Sequence, residues 1–500
     1  MIRVPACSRV SRVSRVCPGS PRCLFTGTGT PRIFHVMRSH AEHARAMACR
    51  WLRRSRCISN HTPCDTLIIG GGVMGSSLAY HLAAARGTGE GIVVIERDSS
   101  YKVASAMLSA GGIRQQFSLR ENVQMSMYGI DFLKRAAELL AVDDDAEPVD
   151  MQFQERGYLF LASAAGHETL CRNHATQVGA GAHWIELLDS DKLRARFPWL
   201  RLDGVVAGSL GTANEGWFDP WGLLRGMRRK ATALGVTYVE GRPVGATVDA
   251  ATKRVLSVDV ATTSRSSRGD GGAVVEFRQF RPARAVANAA GAHAAAVLST
   301  LAGAHRALDI PVRPRKRCIF HLRCPPPPDQ APCQAPGTTP MWHAPLTVDP
   351  SGVYFRPEGA SSTETYLCGV SPDAPYDEDV WDADGLAVSE SDHSRLFEET
   401  IWPVLYNRAE AFGEIKVLGS WAGWYEYNTL DQNAIIGWHP DLRNVVHLNG
   451  FSGHGLQHAP AAGRAVAELV EHGAFRTLDL SLFSFDRVIE GRPVLETGIV

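Results

Sequence analysis

Gly70, Gly72 and Gly75, in the stretch "TLIIGGGVMGSSLAYHL" from Thr66 to Leu82, stand in G-x-G-x-x-G spacing. Glycines so placed between a strand and a helix permit one kind of chemistry, the binding of a pyrophosphate. The first makes the tight turn, the second lets the backbone approach the anion, and the third lets helix and strand pack closely. The helix opens at Val73 and Met74, whose unpaired amides, with the positive end of the helix dipole, face the charge. Glu96 lies 21 residues beyond Gly75, in "GIVVIERD", with Arg97 beside it. A carboxylate at that strand end accepts hydrogen bonds from ribose hydroxyls and repels a 2′-phosphate, which disfavours NADP. NAD enzymes and flavoproteins share this half-site, so the choice between them rests on the rest of the chain.

The elements that must position these residues follow from pattern. Thr66 to Ile69 is too apolar for a one-sided strand and reads as a buried parallel one, and "VMGSSLAYHLAAAR" reads as a helix. "RPARAVANAAGAHAAAV" reads as a strand ending at Val286, a turn Asn288–Gly291 and a small-residue helix. Small side chains there admit a large flat ligand, or simply pack a crowded helix on a sheet. In "NVVHLNGFSGHGLQHAPAAGRAVAELV" a strand over Asn444 to Leu448 runs into the turn Gly450–Gly455, and a helix follows through Val470. This second helix opening, with Gly453, His454, Gly455 and Leu456, suits the pyrimidine edge of a flavin, which becomes anionic on reduction. His454 adds a donor to that ligand or serves as a structural hydrogen-bonder.

Together, "IIGGGVMGSSLAYHLA", "VANAAGAHA" and "NGFSGHGLQHAPAAGRAVAEL" resemble the D-amino-acid oxidase and sarcosine oxidase superfamily of FAD-dependent oxidoreductases. "SAGGIRQQFSLRENVQMSM", "EGWFDPWGLLRGMRRKA", "RPRKRCIFH" and "WYEYNTLDQNAIIG" are similar to a mitochondrial branch of it linked to assembly of respiratory complex I. The resemblance runs from about Asp65 to the C-terminus. It implies an α/β fold, with a Rossmann-like FAD-binding domain of the D-amino-acid oxidase/glutathione reductase-like type and a second, antiparallel-sheet substrate domain. It implies discontinuous domains: residues 62–150, 213–305 and 412–500 for FAD, residues 151–212 and 306–411 for substrate.

The resemblance also implies oxidation of a CH–NH group, by hydride transfer to the flavin. Arg114, in "GGIRQQF", aligns with an Arg that grips the substrate carboxylate in sarcosine oxidases; the other reading is an ordinary surface ion pair. Tyr354 and Arg356 of "VYFRPEG" are further candidates to line the cavity, and Trp421, Trp424, Tyr425 and Tyr427 form either an aromatic wall over the flavin or part of a core. Three positions depart from the pattern. A second carboxylate-binding Lys is replaced by Gln457, the Cys used for covalent flavin attachment falls at Trp424, and the attaching His of dimethylglycine-type dehydrogenases falls near Ser109. The expectation is FAD held without a covalent link and a substrate other than simple sarcosine. Whether the chain is an active amine oxidase or dehydrogenase, or an assembly chaperone in which FAD is structural, stays open.

Composition bounds these readings. The 500 residues carry 52 basic and 52 acidic side chains, but 12 Arg and a single acid, Glu42, fall in residues 1–60, leaving 40 against 51 in the remainder. An acidic body argues against nucleic acid as partner. The Arg- and Ser-rich residues 1–61 have the composition of a mitochondrial transit peptide, or of a disordered basic leader, and lack the apolar run of a secretory signal. Localisation is expected on the matrix side, with complex I subunits or assembly intermediates, and a small amine, as partners. No segment has the ~20 apolar residues needed to span a bilayer, so contact with the inner membrane would be peripheral. Cys171, Cys318, Cys324, Cys333 and Cys368 are scattered without CxxC spacing, so no metal site is expected. "TTSRSSRGDGGA" and the proline-rich "CPPPPDQAPCQAPGTTP" read as loops, the second a lid, a docking surface or a plain surface excursion.

Overall fold

The computed structural model describes residues 61–142, 148–265, 273–305, 307–325, 337–359 and 364–497. The leader 1–60 and most of both expected loops lie outside the described residues. The chain opens with strand β1 (His61–Ile69), helix α1 (Val73–Arg86) and strand β2 (Ile92–Glu96). β1 pairs in parallel with β2 on one side and, on the other, with the second half of the sixteen-residue β8 (Ala273–Asn288). The first half of β8 pairs instead with β7 (Val255–Arg265), antiparallel, and β7 with β6 (Thr237–Val248), which returns in parallel to β2. Beyond β8 lie β15 (Val445–Asn449), parallel, and the edge strand β14 (Ile435–Trp438), antiparallel.

Strands buried on both faces need apolar residues at successive positions, and the core shows why the runs are continuous. Ile68, Val94, Ala287 and Val446 face one cluster, which is closed by α1, α2 (Arg120–Lys134), α3 (Pro220–Ala233) and α5 (Gly455–His472). Their chain neighbours Leu67, Val93, Val286 and Val445 face the other, under α4 (Ala294–Ala302). α1 is buried from Val73 to Ala83, where its polar side chains are Ser76, Ser77, Tyr80 and His81 and the rest are apolar or glycine. It packs on α5 so closely that a side-chain carbon on Gly463 would stand 2.2 Å from Ser77 Oγ, and that hydroxyl donates to Ala459 O across the contact at 2.7 Å.

A second sheet of eight strands has the order β13-β9-β12-β11-β10-β3-β5-β4, built from β3 (Tyr158–Ala162), β4 (Ile185–Asp189), β5 (Ala207–Gly211), β9 (Val312–Arg323), β10 (Leu346–Val348), β11 (Tyr354–Glu358), β12 (Thr365–Gly369) and β13 (Lys416–Asn428). Its pairings are antiparallel except β10 with β3. The α/β fold with a second, mainly antiparallel sheet is therefore present. One expected boundary falls elsewhere: β13, assigned by sequence to the cofactor segment 412–500, pairs with β9 from Lys416 to Asn428 and so belongs to the second sheet. Its alternation and aromatic content suit a strand in either sheet; only the long-range partner decides.

Candidate functional site

The three glycines of the first turn meet three different constraints. Gly70 has φ +101°, and a side-chain carbon there would stand 2.3 Å from Ala289 O, so the turn after β8 lies directly on it. A carbon on Gly75 would stand 1.8 Å from Gly70 O, which is the close helix–strand contact. A carbon on Gly72 would meet nothing within 4 Å. Gly72 caps α1 without any side-chain acceptor, so the helix opens with bare amides onto a cleft lined by Gly70, Gly72, Val73 and Met74. Space at one glycine and crowding at its two neighbours is what an anion seat requires.

Glu96, at the end of β2, lines the same cleft. Its oxygens accept from the amides of Gly71 at 2.8 Å and Asp98 at 2.9 Å, so it also braces the glycine turn. Burial raises its pKa above the ordinary glutamate value, against the pull of those amides. Arg97 lies at the rim, 3.3 Å from His293 Nε2 and over the Trp424 ring. The turn after β8 is clamped by buried Asn288, whose amide donates to Ala294 O at 2.9 Å and whose oxygen receives Ala290 N–H at 3.3 Å.

A second cavity continues the first, sharing Val73, Met74, Ser105, Ala106, Trp424 and Glu426. Counting their open mouths, the first holds ≈ 1370 Å³ and the second ≈ 1300 Å³. Gly453, His454, Gly455 and Leu456 at the opening of α5 line the second one, with Ser109, Arg114, Tyr158, Arg317, Tyr354 and Tyr425. The structure thus places both helix openings on one continuous cleft. His454 Nε2 receives Arg114 at 3.3 Å, which leaves the ring proton on Nδ1, and burial with the Arg114 charge holds the imidazole well below its usual range.

Arg114 is 3% exposed, its guanidinium enclosed by the rings of Phe117, Phe160 and Tyr158 at 4.2, 4.9 and 5.7 Å. It donates to Gln116 O. Among the described residues no carboxylate forms an ion pair with it, so the surface ion-pair reading does not hold. Gln457, read as a missing cation, accepts from Arg114 N–H at 2.9 Å and Ser126 Oγ at 3.1 Å, and so fixes the backbone that carries Arg114. Behind this layer Glu215 receives Gln115 N–H at 2.8 Å, and burial pushes its carboxyl up to about 8.

Tyr354 lines the cavity as expected, but Arg356 and Tyr427 do not. Arg356 turns back to Ala110 O at 2.9 Å, Pro357 O at 2.9 Å and Glu358, bracing the loop before Arg114. Tyr427 lies under Arg315, whose guanidinium is 5.4 Å from its ring, while its neighbours Trp424, Tyr425 and Glu426 line the cleft. Trp421 donates to Leu108 O at 3.1 Å and is absent from the lining, so the aromatic wall is narrower than expected. Tyr158, Arg317 and Glu426 were missed by sequence reasoning. For Glu426 a signal exists: it is the one acid in the otherwise uncharged "WAGWYEYN".

Comparison with known proteins gives a consistent result. Residues 65–469 match the family model described as FAD dependent oxidoreductase. A Xenopus laevis protein described as FAD-dependent oxidoreductase domain-containing protein 1 is 41% identical over 451 residues, covering 87% of this chain and 85% of its own. Among solved structures, L-proline dehydrogenase from P. horikoshii superposes with a TM-score of 0.67 at 22% identity, covering 87% of this chain and 100% of that one. Glycine oxidase from Geobacillus kaustophilus gives 0.62 at 20% identity, over 85% and 98%.

Proposed function

Because the chain belongs to the FAD dependent oxidoreductase family, we propose that it oxidises the carbon–nitrogen bond of a small carboxylated amine, with FAD held without a covalent link. Bound FAD supplies the hydride acceptor, flavin N5. The chain's own residues do the rest. Amides at Gly72 to Met74 would hold the pyrophosphate, Glu96 the ribose, and the opening of α5 at Gly455 and Leu456 the flavin's pyrimidine edge. Ser109 and Trp424 line the cleft where related enzymes attach flavin, and neither side chain can form that bond.

Arg114 carries the substrate reading. A guanidinium 3% exposed, without a carboxylate partner and opening onto the flavin-side cavity, is completed by an anion from the ligand. Tyr158 and Tyr354 line the same cavity and offer hydroxyls to the ligand. The test is anaerobic bleaching of the flavin band by a panel of N-methyl and D-amino acids and by cyclic imino acids. At least one carboxylated amine is expected to bleach it, its decarboxylated counterpart is not, and Arg114→Met is expected to abolish the difference. A flavoprotein that none of them bleaches would remove the enzyme reading.

A second reading is a mitochondrial assembly factor for complex I, with FAD as a structural group. It is supported by the Arg-rich leader, by the quoted motifs, and by the loss of a substrate cation at Gln457. Rescue of complex I assembly by a variant that binds FAD but is not reduced would favour this reading; failure of such rescue favours the enzyme. A fluorescent fusion of residues 1–60 is expected to enter the matrix, and cytosolic fluorescence would overturn the location.

A further inference from the structure

A dinucleotide brings two negative charges into its cleft, and this cleft already contains an acid. Glu426, on β13, lines both halves of the cavity, its partly open surface turned to the cleft. Its carboxyl accepts from Gly450 N–H at 2.9 Å and from the amide of Phe451, which pins it to the turn before α5. Its Oε1 stands 3.0 Å from where a side-chain carbon on Gly455 would be, and Met74 Cε of α1 stands 3.2 Å from the same point. The carboxyl therefore sits between the two helix openings, where the ligand must pass.

No cation offsets it: among the described residues no Lys, Arg or His pairs with Glu426. The charged and titratable groups around it are engaged elsewhere. Arg97 and His293 contact each other, Glu96 takes the amides of Gly71 and Asp98, and His454 receives Arg114. Arg317 of β9 is paired with Asp377 at 2.6 Å, and on the strand itself Tyr425 donates to Ser452 O while Tyr427 lies under Arg315. With solvent in the cleft, burial pushes the Glu426 carboxyl up to about 7. A bound dinucleotide removes that solvent and adds negative charge, and both changes favour the neutral acid.

We propose that Glu426 couples cofactor retention to pH: FAD binds with transfer of one proton from solvent to the Glu426 carboxylate. The inference rests on the non-covalent FAD reading. Above neutrality the free protein carries the ionised acid and must take up a proton to bind, so affinity falls as pH rises; well below neutrality the acid is already neutral and affinity is flat.

The experiment is titration of apoprotein with FAD, followed by flavin fluorescence, from about pH 6 to about pH 9. Native protein is expected to lose ~10-fold in affinity per pH unit above neutrality, the slope for one linked proton. Glu426→Gln, which keeps an oxygen for Gly450 N–H but cannot ionise, is expected to bind with a flat profile. A flat native profile overturns the proposal. So does a slope that survives Glu426→Gln, since Glu96 or Glu215 would then carry the proton. Failure to take up FAD at any pH overturns the cofactor reading instead. If the variant does not fold, calorimetry on native protein at about pH 8, in two buffers of different ionisation heat, counts the protons directly. A value near one supports the coupling, and a value near zero overturns it.

Discussion

Gly72 and Gly75 share a motif but answer to different partners, and substitution separates them. Gly72 has φ −63°, and a Cβ there would meet nothing within 4 Å, so Gly72→Val fills the anion seat without straining the backbone. The variant is expected to melt at the temperature of native apoprotein and to purify colourless; a yellow Gly72→Val protein would refute the seat. Gly75→Ala presses on Gly70 O and Ile68, and is expected to lower stability by ~1–3 kcal/mol, the range for overpacking, with or without cofactor. Glu96→Ala removes the ribose acceptor and leaves Gly71 N–H without its partner, an expected loss of ~1–3 kcal/mol in FAD binding. Equal affinity in a titration would move the acid off the ribose. The spacing of these residues was legible because it reflects steric needs within one turn. Where the need came from far away it was not: the crowding at Gly70 comes from Ala289, and Arg356 and Tyr427 were misplaced because strand position does not say which neighbour a long side chain reaches.

Strand β9 shows what an element adds. Its consecutive Arg315, Lys316 and Arg317 pair with Asp379, Asp392 and Asp377, at 3.4, 2.8 and 2.6 Å. Val380 N–H donates to Pro314 O at 2.6 Å, and Trp424 Nε1 donates to Val380 O at 2.7 Å. The segment around Asp377–Asp392 is thus strapped along β9 and backs the tryptophan beside the flavin cavity. Arg317 lines that cavity with its charge taken up by Asp377. Asp377→Asn is expected to free it, so that a simple carboxylate perturbs the flavin spectrum with affinity tighter by ~1–2 kcal/mol. Unchanged affinity would show that Arg317 does not reach the ligand. The basic run was visible as "RPRKRC", but its acidic partners lie 60 to 76 residues on, and no local pattern joins them.

For the whole molecule, buried titratable groups predict a stability optimum. Burial lowers His81 to about 4 and His447 and His458 to about 3, and lowers His439 and His454 as well. Below the ordinary imidazole value of 6.5 the unfolded chain gains protons that the folded one refuses, so these groups make stability fall as pH falls. Glu215 and Glu426 act oppositely: raised to about 8 and about 7, they favour the folded state at low pH and lose that contribution as pH rises towards those values. Apoprotein melts are expected to peak near neutrality and to fall at about pH 5 and about pH 8.5; a monotonic profile would show that other groups dominate. The architecture itself was readable, since doubly buried strands announce themselves as apolar runs, whereas the sheet to which β13 belongs depends on a partner a hundred residues earlier. The interlock of Gly70 with Ala289, and of α1 with α5, has a consequence for biosynthesis. The ribosome delivers the first glycine turn about 380 residues before Gly450, and until the later segments arrive there is no closed seat for a nucleotide. Flavin loading is therefore a late event in the life of the nascent chain, and truncation anywhere ahead of α5 should leave a polypeptide that is never yellow.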